Sequence, residues 1–216
     1  MRLRPTLAAL FLSLASFATA ATTPIHVAMI FDDGPHGEQT PKLLAVFAEE
    51  QVHVTFGIVG QNAETNAALL QAVVAGGHEI ANHSYSHKHP KDLDAAGVEA
   101  EVTKGQAAIT AAAGVAPTWY WPPYVAIDDN VRAATAKLGL KIYYAPKIAV
   151  SGDYMNTVSA EEILQRATTN IEDGTVILFH EWRPETGAQI KAVITKLKQQ
   201  GCVFDTFSEM AQHLEK

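Results

Sequence analysis

The chain has one cysteine, Cys202, in 216 residues, so no disulfide can form within it. Basic residues are few as well, with 16 Lys and Arg against 23 Asp and Glu and a formal net charge of −7. No run of basic residues is present. This composition argues against nucleic acid or anionic lipid as a partner, and it favours a neutral or cationic substrate.

Long apolar runs are absent except near the start of the chain. Arg2 and Arg4 precede an apolar run from Leu7 to Phe17, and Ala18-Thr19-Ala20 follows it. The run is too short for a membrane span, which needs about 20 apolar residues. The pattern predicts a signal peptide, residues 1–20, rather than a buried first helix. We therefore expect residues 21–216 to be secreted or periplasmic.

Strand-like and helix-like segments alternate along the rest of the chain. Predicted strands cover residues 25–31, 53–59, 78–82, 118–121, 141–145, 175–179 and 203–206. Predicted helices cover 40–51, 63–75, 92–113, 128–138, 159–171 and 185–200, with a short helix at the end, and 146–157 is predicted to be a polar loop. No linker interrupts the alternation. It predicts one α/β domain, residues 21–216, built as an irregular (β/α) barrel of seven parallel strands, with an open sheet as the alternative.

The first predicted strand ends in two carboxylates, Asp32 and Asp33, followed by Gly34-Pro35. Residues 25–31 are apolar except for His26, as in a parallel strand covered on both faces. Ligands bind at the carboxyl ends of such strands, so the two acids stand where this fold carries out chemistry. The alternative is a turn whose carboxylates cap backbone amides.

Two histidines, His83 and His87, follow the third predicted strand four residues apart. On a helical turn this spacing places both side chains on one face. Two imidazoles and one carboxylate form the three-ligand set of catalytic zinc, which leaves a position for water. The alternative is a pair of capping or core histidines.

Five short motifs, including the two just described, together form a pattern along the chain. They are Phe31-Asp32-Asp33-Gly34-Pro35, His83-Ser84-Tyr85-Ser86-His87, Pro122-Pro123-Tyr124, Asp153 and Leu178-Phe179-His180. In order and approximate spacing they resemble the motifs of the polysaccharide deacetylase family, carbohydrate esterase family four. The resemblance covers nearly the whole chain after residue 20.

The resemblance implies a metal centre and a base. Asp33, His83 and His87 would bind a divalent ion, with Zn²⁺ expected and Co²⁺ or Ni²⁺ as alternatives. Asp32 would be the general base. The chemistry is coherent, because such an ion lowers the pKa of a bound water from about 15.7 toward 7 and polarises a carbonyl.

The resemblance also implies the remaining catalytic groups. The backbone N–H of Tyr124 would stabilise the oxyanion, His180 would be the general acid, and Asp153 would orient its imidazole. Four further residues are expected to contact substrate, namely Trp121, Pro123, Leu178 and Trp182, since aromatic faces suit the C–H faces of sugar rings.

The chain departs from the family pattern at three positions. Trp121 stands where the family usually has an arginine that pairs with the base, and Val125 replaces a glycine. Tyr154 stands where tryptophan is common. Without the arginine, we expect the pKa of Asp32 to be higher, because an adjacent cation favours an ionised carboxylate.

These inferences predict a metal-dependent hydrolase that removes N-acetyl groups from an N-acetylglucosamine-containing glycan and releases acetate. Peptidoglycan, chitin oligomers and poly-N-acetylglucosamine are the candidate polymers. The alternatives are a weak or silent carbohydrate-binding member, an esterase acting on O-acetylated polysaccharide, and an amidase for small non-sugar amides. The only expected partner is the glycan, and no pattern assigns an oligomeric state.

Overall fold

The computed structural model describes residues 23–215, and the predicted signal peptide lies outside them. The strands are β1 (Ile25–Gly34), β2 (Thr55–Ile58), β3 (Glu79–Asn82), β4 (Trp119–Tyr120), β5 (Lys141–Ile142), β6 (Lys147–Val150), β7 (Thr175–His180) and β8 (Cys202–Asp205). The helices are α1 (Gln39–Glu50), α2 (Gly60–Thr65), α3 (Ala67–Ala75), α4 (Ala95–Ala113), α5 (Asp129–Lys137), α6 (Ala160–Thr168), α7 (Pro184–Gln199) and α8 (Phe207–Leu214). None of the helices in this range is long and apolar enough to cross a membrane.

All strand pairs are parallel, and the sheet runs in the order β5-β4-β3-β2-β1-β7-β6. Val27 of β1 pairs with both β7 and β8, so these two strands lie on opposite edges of β1. β8 pairs with Ile25–Ala28, and β2 pairs further along, with Ile30–Gly34. β2 and β8 therefore share one edge of β1, and eight strands fill seven positions. The curled sheet confirms the predicted irregular (β/α) barrel.

Alternation along β1 separates two cores, because successive strand residues face opposite sides. Val27, Met29 and Phe31 pack outward in the cluster that includes the flanking helices. Ala28 and Ile30 face the barrel interior, in a second cluster that also contains Trp119, Trp121 and Phe207. The backbone N–H of Phe207 donates to Thr55 at the start of β2, so α8 covers the amino-terminal end of the barrel. The carboxyl ends of the strands are left to form the site.

Several predicted boundaries are wrong in ways that have local causes. The predicted loop 146–157 contains β6, which pairs with β7 over four residues. The predicted helix 63–75 is two helices, interrupted at Asn66 by a non-helical conformation. The predicted helix 92–113 begins only at Ala95, as α4, and it continues through Gly105. A Cβ at Gly105 would lie 2.7 Å from the carbonyl carbon of Ser84, so the glycine permits close packing of the helix on the loop after β3.

Candidate active site

A cavity of about 450 Å³ opens at the carboxyl ends of the strands. Its polar wall consists of Asp32, Asp33, His87 and His180. Its apolar and aromatic wall consists of Tyr124, Val125, Val150, Tyr154, Leu178 and Trp182. The cavity thus combines titratable groups with a surface suited to an apolar part of a ligand.

The end of β1 directs both of its acids into this cavity. Asp32 continues the inward alternation of Ala28 and Ile30. Asp33 would then face outward, but its φ of 69° turns the backbone into the left-handed region and redirects the side chain. Asn62 holds this turn, because its amide donates to the Asp33 carbonyl at 2.7 Å.

Asp33, His83 and His87 form a triangle of potential ligands. The Nε2 atoms of His87 and His83 lie 3.3 Å and 3.7 Å from Asp33 Oδ1, and one ligand atom from each residue lies within 4.8 Å of the others. Tetrahedral ligands about 2.1 Å from one ion are separated by roughly 3.4 Å. Asp33 Oδ1 and His83 Nε2 are buried and have no hydrogen-bond partner among residues 23–215. The donor set therefore fits a divalent metal ion.

The two histidines do not lie on a helical turn, so that prediction is wrong. The segment after β3 is a loop in which Ser84 and His87 have φ values of 67° and 57°. The Ser84 hydroxyl accepts a hydrogen bond from the His87 N–H at 3.0 Å, and the Ser84 N–H donates to Asn82 at 2.9 Å. These local bonds bring the imidazoles together without a helix.

The ring of His83 is fixed in one tautomer. Its Nδ1–H donates to the backbone carbonyl of Trp121, which can only accept. The lone pair of Nε2 is therefore free on the side of Asp33. Burial lowers the pKa of His83 to about 4, so the imidazole is neutral near pH 7, as a metal ligand must be.

Asp32 is buried beside this triangle. One carboxylate oxygen accepts a hydrogen bond from the indole N–H of Trp121 at 3.0 Å, while Oδ1 has no partner in the described part of the chain. Burial raises the pKa of Asp32 well above its ordinary value, against the opposing charge of His180. Trp121 itself is fully buried, which corrects the prediction that its ring contacts substrate.

His180, at the end of β7, faces the cavity opposite a buried acid, Asp153. The Nδ1–H of His180 donates to Asp153 at 2.8 Å, and its backbone N–H donates to the same carboxylate at 2.7 Å. Thr186, which sequence reasoning missed, donates its hydroxyl at 2.6 Å. Burial would lower the pKa of His180, but the hydrogen bond to Asp153 and the charge of Asp32 outweigh it and raise the pKa.

The other predicted site residues divide into two groups. Tyr124 lines the cavity with a φ of 59°, and its backbone N–H makes no hydrogen bond within residues 23–215, so it is available to a ligand. Leu178 and Trp182 also line the wall, and the Trp182 indole donates to Asp33 Oδ2 at 3.0 Å. Pro123 is buried and is not part of the wall, so the predicted substrate contact is not made there.

Comparison with known proteins places this geometry in a family. The sequence profile described as polysaccharide deacetylase matches residues 19–143. The chain belongs to the polysaccharide deacetylase family.

Members of the family resemble the chain over most of its length. A peptidoglycan-N-acetylglucosamine deacetylase of Listeria monocytogenes is 30% identical over 88% of this chain and 40% of its own, so this chain spans well under half of that relative. A family 4 carbohydrate esterase from Streptomyces lividans, solved with acetate, is 34% identical over 83% of this chain and 91% of its own, with a TM-score of 0.76. An acetyl xylan esterase from Clostridium thermocellum, solved with a cobalt ion, is 27% identical over 87% of this chain and 91% of its own, with a TM-score of 0.78.

Proposed function

We propose that this chain is a metal-dependent deacetylase that hydrolyses the N-acetyl group of an N-acetylglucosamine-containing glycan and releases acetate. The observation that carries the proposal is the convergence of the Asp33, His83 and His87 triangle with Asp32 and His180 on one cavity. Zn²⁺ is the proposed ion, with Co²⁺ or Ni²⁺ as alternatives, and export by the signal peptide is the proposed route to a polymer outside the cytoplasm.

Each residue of the site has a different role in amide hydrolysis. When bound by Asp33, His83 and His87, a divalent ion would supply a Lewis acid and a water of lowered pKa. Asp32 accepts the proton of the attacking water as the water oxygen bonds to the carbonyl carbon. The N–H of Tyr124 donates to the oxyanion, and losing one such donor typically costs about 10²–10³ in rate.

His180 completes the reaction on the side of the leaving group. Its Nδ1–H is held by Asp153, so Nε2 presents the proton to the cavity. The C–N bond breaks as Nε2–H protonates the departing amine nitrogen, leaving acetate and an amino sugar. Against the effect of burial, the hydrogen bond to Asp153 raises the pKa of His180, which favours the protonated imidazole that a general acid requires.

The walls of the cavity fit an acetylated sugar. Leu178 and Val125 offer apolar surface beside the titratable groups, where an acetyl methyl group would be buried. Tyr124 and Tyr154 are 60% and 49% exposed at the cavity, which suits contact with the C–H faces of sugar rings. The Listeria relative, named for peptidoglycan, makes that polymer the first candidate, ahead of chitin oligomers and poly-N-acetylglucosamine.

An esterase acting on O-acetylated polysaccharide is the second candidate, because both solved structures described above are named esterases. The two activities differ in the leaving group. An amine must be protonated as it departs, whereas an alkoxide of an ester leaves more readily without an acid. Substitution of His180 by Asn should therefore reduce amide hydrolysis much more than ester hydrolysis.

Acetate release from peptidoglycan, chitin oligomers and acetylated xylan tests the proposal. The chain is stripped with a chelator and then supplied with Zn²⁺ or Co²⁺, beside an Asp32→Asn control. The proposal predicts metal-dependent release from the N-acetylated glycans and almost none from the control. Glycan binding without release would favour the silent carbohydrate-binding alternative, and release from xylan alone would favour the esterase.

A further inference from the structure

Trp121 contacts both the proposed base and one of the proposed metal ligands. Trp121 donates its indole N–H to Asp32 and accepts the Nδ1–H of His83 on its backbone carbonyl. We propose that Trp121 is the positioning residue of this site, with its neutral indole N–H holding the base, Asp32. The inference rests on the proposed hydrolase function, which it deepens.

The indole is the only group that holds the Asp32 carboxylate among the described residues. Its Nε1 lies 3.0 Å from Oδ2, and Oδ1 has no partner there. His83 is near, with Nε2 3.7 Å from Oδ2, but this nitrogen carries no proton because Nδ1 is the donor. A hydrogen bond from N–H to an ionised carboxylate is about twice as strong as a neutral one.

The ring of Trp121 is held rigidly enough to orient the base before substrate binds. It has no exposed surface and packs in the barrel interior against Phe207 of α8, with ring centroids 5.5 Å apart. Its backbone N–H donates to the Asn82 carbonyl at 3.0 Å, which anchors the residue to β3. Donors fixed in this way need no reorganisation during reaction.

The two contacts of Trp121 can be separated experimentally. Only the side chain reaches Asp32, whereas the backbone carbonyl that orients His83 is retained in any variant. Trp121→Phe therefore removes the donor to the base and leaves the metal ligand oriented. Trp119→Phe is the matched control, because Trp119 lies in the same interior cluster and donates its indole N–H to Ser208 at 2.9 Å, away from the base.

Kinetics and zinc affinity provide the first test. Loss of a hydrogen bond to a charged group predicts a fall in kcat of about 10- to 100-fold in Trp121→Phe, with KM and zinc affinity close to wild type. Trp119→Phe should keep kcat within about twofold. Equal kcat values in the two variants would overturn the inference, as would a loss of zinc affinity that accounts for the fall in Trp121→Phe. A wild-type chain that releases no acetate would refute the proposed function instead.

An NMR measurement tests the contact without any activity. The chain has three tryptophans, so three indole N–H signals are expected. Asp32→Asn should move the Trp121 signal upfield and hasten its exchange with water, because the bond loses its charge assistance. Asp33→Asn is the matched control and should move the Trp182 signal instead, since Trp182 donates to Asp33. A Trp121 signal whose position and exchange rate are unchanged in Asp32→Asn would overturn the inference, even if Trp121→Phe fails to fold.

Discussion

Gly57 of β2 lies directly against Asp32 of β1, and a Cβ at position 57 would be 2.6 Å from Asp32 Oδ1. No real Cβ contact is this close, so an added methyl group must displace the carboxylate. The base can occupy its position only because the neighbouring strand has no side chain there.

Gly57→Ala should therefore reduce kcat strongly. A misplacement of about 1 Å at a reacting group can cost about 100-fold in rate, and we expect a loss of at least about tenfold. Gly37→Ala is the control, because its Cβ would meet nothing closer than Asn66 Oδ1 at 3.8 Å. Wild-type kcat in Gly57→Ala would contradict the placement of Asp32 as the base.

The hydrogen bond between His180 and Asp153 influences the pH above which kcat falls, that is, the alkaline limb of the pH profile. His180 acts as an acid only while protonated, so activity falls as pH rises through its pKa, which the bond to Asp153 raises. Asp153→Asn lowers that pKa and should move the alkaline limb of kcat to lower pH. Thr186→Val keeps the carboxylate and should leave the limb near its wild-type position. An unmoved limb in Asp153→Asn would show that another group is the acid.

The indole of Trp182 donates to Asp33 Oδ2. The other oxygen of the same carboxylate, Oδ1, is the atom that faces the histidines of the metal triangle. Such supporting bonds typically account for 10–100-fold in metal affinity, so Trp182→Phe should weaken zinc binding by about that factor. At saturating zinc, the kcat of Trp182→Phe should fall by a smaller factor than its affinity for zinc. Competition with a chromogenic chelator measures the affinity, and an unchanged dissociation constant would argue against Asp33 as a ligand.

The environment of Glu181 predicts that the free energy of unfolding, rather than the rate of hydrolysis, depends on pH. Glu181 is fully buried and accepts hydrogen bonds from Thr40 and the backbone of His36, and its Oε2 has no hydrogen-bond partner among residues 23–215. Burial, and the nearby charge of Asp33, raise its pKa from 4.5 to about 8. The folded chain thus keeps a proton that the unfolded chain releases, so the free energy of unfolding falls as pH rises from about 4.5 to 8.

Glu181→Gln should remove this contribution, which amounts to at most about 1.4 kcal/mol per pH unit. Urea unfolding at several pH values measures it, and Glu161→Gln, at an exposed site on α6, is the control. The stability curve of Glu181→Gln should be flatter than that of the control between pH 5 and 8. Parallel curves would mean that Glu181 is ionised in the folded chain.

The sequence predicted the parts of the site that depend on position along strands. Asp32 and His180 stand at the ends of apolar runs, and the parallel sheet brings such ends to one edge. The register pairs these two residues directly across β1 and β7. Their positions at strand ends, together with the resemblance to the family, therefore predicted that they share one site.

Backbone torsions and cross-strand packing could not be predicted, although the resemblance to the family did indicate Asp33 and His87 as metal ligands. Asp33 reaches the cavity only through its positive φ, and the loop to His87 uses two more such residues rather than a helical turn. The sequence favoured a substrate contact for Trp121, but the interior packing of its ring against Phe207 directs its N–H to the base instead. The four-residue strand β6 gave no periodic signal long enough to distinguish it from a loop.

Anomalous diffraction at the zinc edge tests the central claim most directly. Crystals of the chain grown with Zn²⁺ should show one strong peak within about 2.0–2.2 Å of Asp33, His83 and His87, with Asp32 outside the coordination sphere. His83→Ala crystals grown in the same way should lose the peak. A triangle without density in the wild-type crystals, or a peak coordinated by Asp32 in place of Asp33, would contradict the account.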